Sequence, residues 1–401
     1  MALARRYAGT KPAMIVLGGS SMHKGGNGWQ AARAVSCLPA LTGNVGIAGG
    51  GLGPRHGSAA HGRGLANLVP SRRASLTGDA VDDMASIGQA LRAGRIRNLL
   101  LFGTNMLSSF ADADALAHGL AATRLIVSHD LFMNDTARRF ADVVLPSTAW
   151  LEELGCKATN THLYLMEPAL PAAGQTRSAN QVLRDLAARV GLTDFDPWGS
   201  DEATIDAILA HPCSGHATVA ALRAEGGMRA MNVSHIAHPD LRFATPSGRL
   251  EFFSTRAQEL GLPPLPVAED ACPVPRSYPL ALAQGRTLNQ FHAFYDHGRA
   301  LPTLARKEAA PQLWIAPQDA ATRGITHGAL VRVFNERGEF EVAAHVTDRI
   351  PAGTLWLRDG WPGLNRITGG AAVLPAAAVD AFAFSAGQAR FDAAVEVRAV
   401  S

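Results

Sequence analysis

The sequence predicts an α/β protein in which a parallel sheet with crossover helices precedes a small C-terminal β-barrel. Three short apolar runs, residues 98–102, 125–128 and 142–145, alternate with helical patterns, as is typical of βαβ units. From Tyr278 onward the pattern changes to closely spaced β-rich runs, which is typical of a barrel. The 401 residues, 47% of them apolar, are sufficient for two or three domains.

The elements before the barrel follow from the spacing of apolar residues. Residues 12–17 predict a buried strand and residues 29–41 a helix, which Pro39 is expected to bend or end. The glycine-rich residues 43–57 predict a tightly turned loop, because their composition disfavours both helix and strand. Further helices are predicted at residues 82–93, 111–122, 179–190 and 201–209, with a short one that Asn134 or Asp135 would cap.

Five short runs predict the strands of the barrel. They are residues 279–283, 312–315, 330–335, 339–347 and 354–357. Residues 336–338 predict a hairpin turn and residues 317–323 a short helix. The proline-bearing stretch 193–276 looks like a connecting excursion, so we predict three parts, residues 1–192, 193–276 and 277–401.

The charge distribution along the chain is strongly uneven. Residues 1–78 contain nine lysines and arginines but no aspartate or glutamate, which leaves 28 basic and 34 acidic side chains in the rest. An acid-free stretch rich in arginine predicts an anionic partner. Chance and an arginine-rich transit peptide are the alternatives; the length of the stretch and the strand inside it disfavour the transit peptide.

Polar residues follow two of the predicted strands, in Gly103-Thr104-Asn105 and Ser128-His129-Asp130. Ligands of open α/β sheets bind outside the carboxyl ends of strands, so these segments predict a nucleotide-type site. The Asp130 carboxylate can accept two hydrogen bonds from a purine edge such as guanine N1–H and N2–H₂. The alternative for Asp130 is a helix N-cap, a position at which aspartate is common.

Other motifs are weaker. Residues 26–31 match the dinucleotide-binding pattern G-x-G-x-x-A. The first acidic residue, Asp79, lies too far along the chain to bind a ribose, which disfavours a nicotinamide cofactor. A simple turn is an equal alternative for this motif.

No G-x-S-x-G motif or Cys–His pairing supports acyl transfer. Neither the histidines nor the cysteines have the spacing of a metal or iron–sulfur site: His23, His56, His61 and His129, and Cys37, Cys156, Cys213 and Cys272.

The cellular compartment of the protein is predicted from its cysteine content and from the lack of a recognisable targeting signal in the sequence. Thinly scattered cysteines fit a reducing environment. No apolar region follows Arg5-Arg6 as it would in a signal peptide, and no run approaches the roughly 18 apolar residues of a membrane span. We expect a cytoplasmic protein, or a periplasmic one if a signal lies upstream.

Several ordered motifs resemble the molybdopterin oxidoreductases of the dimethyl sulfoxide reductase family. In the first part these are residues 41–46 with 49–52 (LTGNVG, GGGL), 102–105 (FGTN), 129–133 (HDLFM), Thr136-Ala137, 141–146 (ADVVLP) and 150–152 (WLE). Cys156 and His162 depart from the family pattern. This part of the resemblance implies a Rossmann-like parallel-sheet domain.

The C-terminal part resembles the same family's molybdopterin-dinucleotide-binding domain, a double-psi β-barrel. The matching residues are Gly285-Arg286-Thr287 with His292, residues 316–320 and 323–325, Gly328, residues 331–333, Arg337-Gly338 and residues 365–368. The resemblance covers most of the chain except about residues 193–276.

The resemblance implies a molybdenum bis(molybdopterin guanine dinucleotide) cofactor, whose pyrophosphates would explain the acid-free segment. It implies that one nucleotide is held by Gly103, Asn105, His129, Asp130 and Thr136. It also implies that the pterins contact Gly285, Arg286, Thr287, His292 and Asn365. Arg55 falls near the position of a pocket arginine in some relatives and is the catalytic candidate.

The expected function is two-electron oxygen-atom or hydride transfer by a molybdenum oxidoreductase of which this chain is the C-terminal portion. The family's iron–sulfur cysteines and molybdenum ligand precede the matched region, so neither is assigned here. The expected partners are the cofactor, a small-molecule substrate, and an N-terminal iron–sulfur portion or electron-transfer subunit, without nucleic acid. The alternatives are a non-catalytic cofactor-binding module or gene fragment, and an unrelated nucleotide-binding transferase.

Overall fold

The computed structural model describes residues 1–18, 25–26, 28–54, 84–159, 161–192, 195–268, 275–290, 292–293, 301–374 and 390–400. Strands and helices alternate in the first half. In chain order they are α1 (Ala2–Ala8), β1 (Met14–Leu17), α2 (Gly28–Leu41), β2 (Gly51–Pro54), α3 (Met84–Arg92), β3 (Asn98–Phe102), α4 (Met106–Ser109), α5 (Ala113–Ala121), β4 (Leu125–Asp130), α6 (Asp135–Phe140), β5 (Val143–Pro146), β6 (Gly155–Ala158), β7 (His162–Met166) and α7 (Ala179–Arg189).

The second half begins with short helices and ends in strands. In chain order the elements are α8 (Asp201–Leu209), α9 (Val219–Ala224), β8 (Met228–Ala230), α10 (Thr255–Glu259), β9 (Leu280–Gly285), α11 (Pro302–Lys307), β10 (Gln312–Ile315), α12 (Pro317–Ala321), β11 (Leu330–Phe334), β12 (Glu339–Val346), β13 (Thr354–Arg358) and β14 (Ala393–Ala399).

Strands β3, β4 and β5 form a parallel three-stranded sheet, which confirms the predicted α/β arrangement. Helices α4 and α5 connect β3 to β4, and α6 connects β4 to β5. One face of the sheet packs against helices because apolar side chains recur on both partners. The buried residues of this core are Leu91, Leu101, Met106, Leu107, Leu116, Leu120 and Ile126.

Two local predictions about this half were wrong. Residues 128–130 are not a loop but the end of β4, because Ser128 and His129 pair with β5. The glycine-rich loop contains β2, whose backbone pairs in parallel with β1. The helix predicted at residues 111–122 is confirmed as α5, and the short α4 before it was not predicted; the two are separate helices because Phe110 is extended and Asp112 has a positive φ of 57°.

Part of the predicted excursion packs onto the preceding half. Strand β8 pairs antiparallel with β7, which also pairs with β6. Helices α8 and α9 contribute to the core beneath this sheet. Its buried residues are Leu163, Ile205, Leu209, Ala217, Val219 and Leu222. The boundaries of the three predicted parts stay a prediction.

The C-terminal strands form a closed barrel in the order β10-β12-β11-β14-β9-β13, which confirms the predicted barrel. Pairs β10–β12 and β9–β13 are parallel and the other four are antiparallel. Strand β14 was not predicted, although it closes the barrel between β9 and β11. Fully buried side chains fill the interior, among them Leu313, Ile315, Val331, Val333, Ala344, Leu355, Leu357 and Val395.

Candidate functional site

The carboxyl ends of β3 and β4 carry the first group of predicted site residues. Gly103 directly follows β3 with a positive φ of 57°, a conformation that glycine adopts without steric cost. Its N–H donates to the carbonyl of His129 (2.9 Å), so the two strand ends are held side by side. The sequence prediction that these polar residues meet at one sheet edge agrees with this geometry.

Asp130 positions a helix cap but is not itself the cap. Its Oδ1 accepts from the Phe132 N–H (3.2 Å) and its Oδ2 from Asn134 Nδ2 (2.8 Å). Asn134 in turn accepts from the Ala137 N–H (3.0 Å) and caps α6. Each carboxylate oxygen has a second lone pair, so Asp130 retains the capacity to accept hydrogen bonds from a ligand.

His129 is buried and held on two sides. Its Nε2 lies 2.8 Å from the Arg177 carbonyl, and its ring centroid lies 5.3 Å from that of Phe102. It borders a cavity of about 810 Å³ between the sheet and α7. The lining of the cavity is mainly apolar from the strands and includes polar and charged residues of the segment before α7 and of α7 itself, namely Gln175, Thr176, Arg177, Asp185 and Arg189.

A buried hydrogen-bond network joins the sheet to the barrel. Thr136 Oγ1 donates to Asn105 Oδ1 (2.8 Å), and Asn105 Nδ2 donates to Ser108 Oγ (3.1 Å). Asn365, which follows β13, donates from Nδ2 to the Ser108 carbonyl (2.8 Å). The structure therefore brings three predicted site residues together, with Ser108 as a fourth that the sequence analysis missed.

The second group lies at one end of the barrel, where the parallel strands β9 and β13 finish together. Arg358 stands opposite Gly285, and the Asp359 N–H donates to the Gly285 carbonyl (2.8 Å). His292 donates its backbone N–H to Asp359 Oδ1 (3.0 Å) and places Nδ1 3.1 Å from Oδ2. Arg286 Nη2 lies 2.7 Å from His292 Nε2. Because arginine only donates, Nε2 is the acceptor in this contact.

Arg358 is the most buried charged residue of this group, with only 1% of its surface exposed. Its Nε lies 2.9 Å from Glu308 Oε1, and Thr287 Oγ1 donates to Glu308 Oε2 (2.5 Å). Burial lowers the pKa of the Arg358 guanidinium, and the Glu308 and Asp359 carboxylates oppose that shift. Arg358 was not predicted as a site residue. The Arg358-Asp359 pair directly after the predicted apolar strand 354–357 is a sequence feature that could have indicated it.

Some predicted features are not placed. Arg55, His23, His56, His61 and Cys272 lie outside the described residues. Among the residues that are described, no three His, Cys, Asp or Glu side chains group as a metal site, and no helix is long and apolar enough to cross a bilayer.

One cysteine, Cys213, contacts a histidine, a pairing that was not expected from the sequence. His211 Nδ1 accepts from the Cys213 N–H (3.1 Å) and lies 2.8 Å from Cys213 Sγ. This pair caps the short 3-10 helix Pro212–Ser214, a local structural role. Cys37, Cys156 and Cys213 are free thiols, and burial raises the pKa of Cys156.

The fold and the strand-end clusters define a two-part α/β and β-barrel protein, and comparison with known proteins identifies its family. Residues 3–189 match the model "Molybdopterin oxidoreductase" and residues 280–385 match "Molydopterin dinucleotide binding domain". The chain belongs to the molybdopterin oxidoreductase family, as its motifs predicted.

Curated relatives extend over almost the whole chain. "Probable oxidoreductase YoaE" of Bacillus subtilis is 30% identical over 90% of this chain and 53% of its own length. Dimethyl sulfoxide reductase DmsA of Escherichia coli is 27% identical over 92% of this chain and 51% of its own. The chain thus spans about half the length of these relatives.

A solved structure shares the fold. Acetylene hydratase from Pelobacter acetylenicus superposes with a TM-score of 0.66 at 19% sequence identity, covering 80% of this chain and 47% of that one.

Proposed function

We propose that this chain holds a molybdenum bis(molybdopterin guanine dinucleotide) cofactor and is the cofactor-binding portion of a molybdenum oxidoreductase. One observation carries the proposal: Asn105 and Thr136 of the sheet half meet Asn365 of the barrel through a single buried network. A ligand that contacts both halves requires them in a fixed relation, and buried hydrogen bonds provide it.

The barrel residues fit an anionic cofactor. The Nη atoms of Arg358 and Nε2 of Gln290 are buried without a hydrogen-bond partner among the described residues. Phosphate oxygens are acceptors that match such donors. In this proposal Gly285, Arg286, Thr287, His292 and Asn365 contact the pterins.

The sheet residues would hold one nucleotide. Gly103 would let the backbone at the end of β3 approach the nucleotide closely. His129 and Asn105 would contact the nucleotide at this sheet edge, and the Asp130 carboxylate would accept hydrogen bonds from the guanine. Arg55 remains the candidate for the substrate pocket. When bound, the cofactor supplies two-electron oxygen-atom or hydride transfer at molybdenum, while these residues bind and orient it.

The proposal includes a finer description of the fold and of the complete enzyme. We assign the sheet half to the Rossmann-like type and the barrel to the double-psi type, which the two parallel pairs within the barrel support. For the catalytic unit we propose an electron-transfer partner, or an iron–sulfur portion in that role, and a small-molecule substrate.

A non-catalytic cofactor-binding module is the alternative. The match of residues 280–385 to a model named for dinucleotide binding favours it, since binding alone does not require turnover. Both functions require the cofactor, so redox turnover with an artificial electron donor separates them.

Cofactor content tests the proposal directly. The full chain is purified from a host supplied with molybdate, and molybdenum and acid-released GMP are quantified. We expect both, with guanine in excess of molybdenum. Absence of both from correctly folded protein would contradict the proposal.

Asp130→Ala tests the nucleotide role of one residue. Asn134→Ala is the matched control, because it removes the α6 cap but keeps the carboxylate. Both variants should lose about 1 kcal/mol of stability through the cap. Only Asp130→Ala should also reduce the GMP content; equal GMP content in both variants would leave Asp130 only with the role of positioning Asn134, the cap of α6.

A further inference from the structure

The buried guanidinium of Arg358 is incompletely satisfied. Guanidinium groups present five N–H donors in a planar fork, and they are almost never buried without matching acceptors. Glu308 engages the Nε edge as an ion pair, but Nη1 and Nη2 have no hydrogen-bond acceptor among the described residues. Glu308 is moreover shared with the Thr287 hydroxyl.

A partly buried arginine of the barrel, Arg323, shows how a guanidinium with a full set of acceptors is paired. Arg323 forms a bidentate pair with Glu396, from Nε to Oε1 (2.6 Å) and from Nη2 to Oε2 (3.2 Å). Its Nη1 donates to the Asp319 carbonyl (3.1 Å). Arg323 therefore needs no ligand, whereas Arg358 lacks the equivalent acceptors on its fork.

The neighbours of Arg358 do not remove this deficit. Trp361 lies under the guanidinium with its ring centroid 5.1 Å away, which stabilises the face of the cation but not its N–H groups. The Asp359 carboxylate accepts from the His292 backbone and faces its Nδ1. Gln290, in the segment that follows β9, adds a second buried donor without a partner, its Nε2.

A chain of contacts connects these donors to residues 285–290. Gln290 contacts Thr287 through its backbone, Thr287 contacts Glu308, and Glu308 contacts Arg358. Unpaired donors that surround one loop indicate an acceptor that arrives with a ligand. An oxyanion meets the requirement best, because it neutralises the buried charge and presents several oxygens to the fork.

We propose that Arg358 is a phosphate-binding residue, and that it receives an oxygen of the cofactor's pyrophosphate beside residues 285–290 and His292. The inference rests on the proposed function for the identity of the phosphate. It adds a residue and a charge contact to the barrel end of that site. Glu308 is a positioning residue in this arrangement, since it holds Arg358 and Thr287 together.

The test uses the cofactor-free full chain and inorganic pyrophosphate as the probe. Pyrophosphate should raise the melting temperature of the wild-type chain, because a ligand that binds only the folded state stabilises it. The double variant Arg358→Met/Glu308→Gln removes the charge pair without leaving either charge alone. It should need at least about tenfold more pyrophosphate for the same shift.

Two further variants control for folding and for general charge loss. Arg323→Met/Glu396→Gln makes the same change at the satisfied pair and should keep the wild-type response to pyrophosphate. Arg358→Lys keeps a buried charge but not the planar fork, so it should give an intermediate response even if the double variant fails to fold. An unchanged response in Arg358→Lys and in the double variant overturns the inference.

Cofactor content separates this inference from the proposed function. If wild-type protein contains molybdenum and GMP, the Arg358 variants should retain less of both than the Arg323 control. Wild-type protein that lacks both but shows a pyrophosphate shift dependent on Arg358 would refute the proposed function and support the phosphate site. Absence of any wild-type pyrophosphate shift overturns the inference, whatever the cofactor content.

Discussion

Gly360 allows the two loops at the barrel end to meet. Its φ is +74°, and a Cβ on this residue would lie 2.1 Å from the backbone carbonyl carbon of His292. A side chain here would therefore meet main chain that has no rotamer to change. The contact between His292 and Asp359 depends on this close approach, because Gly360 is the residue next to Asp359.

Replacing Gly360 with alanine should destabilise the barrel end by more than backbone strain alone. Gly324→Ala is the matched control, since Gly324 has a φ of +62° but open space around its Cβ position. The control should lose roughly 1–2 kcal/mol, the usual cost of the left-handed conformation. Urea unfolding should show a clearly larger decrease in the free energy of unfolding for Gly360→Ala than for Gly324→Ala. Equal decreases would contradict this prediction, because they would mean that the two loops can move apart at no cost in free energy.

At the scale of elements, β14 completes the barrel through both backbone and charge. It pairs with β9 and β11, and its Glu396 binds Arg323, which follows α12. Burial alone would raise the pKa of Glu396, but hydrogen bonds from Arg323 and the Val397 N–H, with the Arg323 charge, lower it. The ion pair therefore contributes stability only while Glu396 is ionised.

This contribution should disappear in acid. The folded pKa of Glu396 lies below its ordinary value of 4.5, so the stabilisation is present above that pH and is lost as the pH falls through the folded pKa. Unfolding free energies of wild-type and Glu396→Gln chains should differ near neutral pH and converge as the pH falls through the folded pKa of Glu396. Glu336→Gln, at an exposed pair, should show little difference at any pH.

At the scale of the whole molecule, the segment after β13 connects the barrel to the sheet half. Asn365 donates to Ser108, Thr368 accepts from the Asp112 N–H (3.1 Å), and Arg366 pairs with Asp114 (2.9 Å). The first contact is buried and the ion pair is exposed, so the buried hydrogen bond contributes more to the coupling.

Asn365→Ala should weaken the coupling between the two halves. Losing the bond leaves the Ser108 carbonyl without this donor, at a cost of about 1–3 kcal/mol. Asn335→Ala is the control, because Asn335 bonds the Ile367 and Ala394 carbonyls without touching the sheet half. Calorimetry should show Asn365→Ala broadening or splitting the unfolding transition and Asn335→Ala only shifting it; a single sharp transition in both would contradict this coupling.

The sequence by itself determined the elements whose signal is local. Strands β3 and β10 and helix α8 have the predicted bounds, because apolar periodicity and flanking polar residues are properties of neighbouring residues. The ordered motifs also determined the family, since they need only residue identity and spacing. The same motifs indicated the strand ends at which polar residues gather.

The tertiary structure decided the features that depend on distant residues. The glycines of β2 form a strand because β1 pairs with them, and β14 becomes a barrel strand between partners far away in sequence. Arg358 became a candidate site residue only when its burial and its contact with Glu308 were known. Backbone pairing and the desolvation of a charge are set by the packed chain, so no local pattern encodes them.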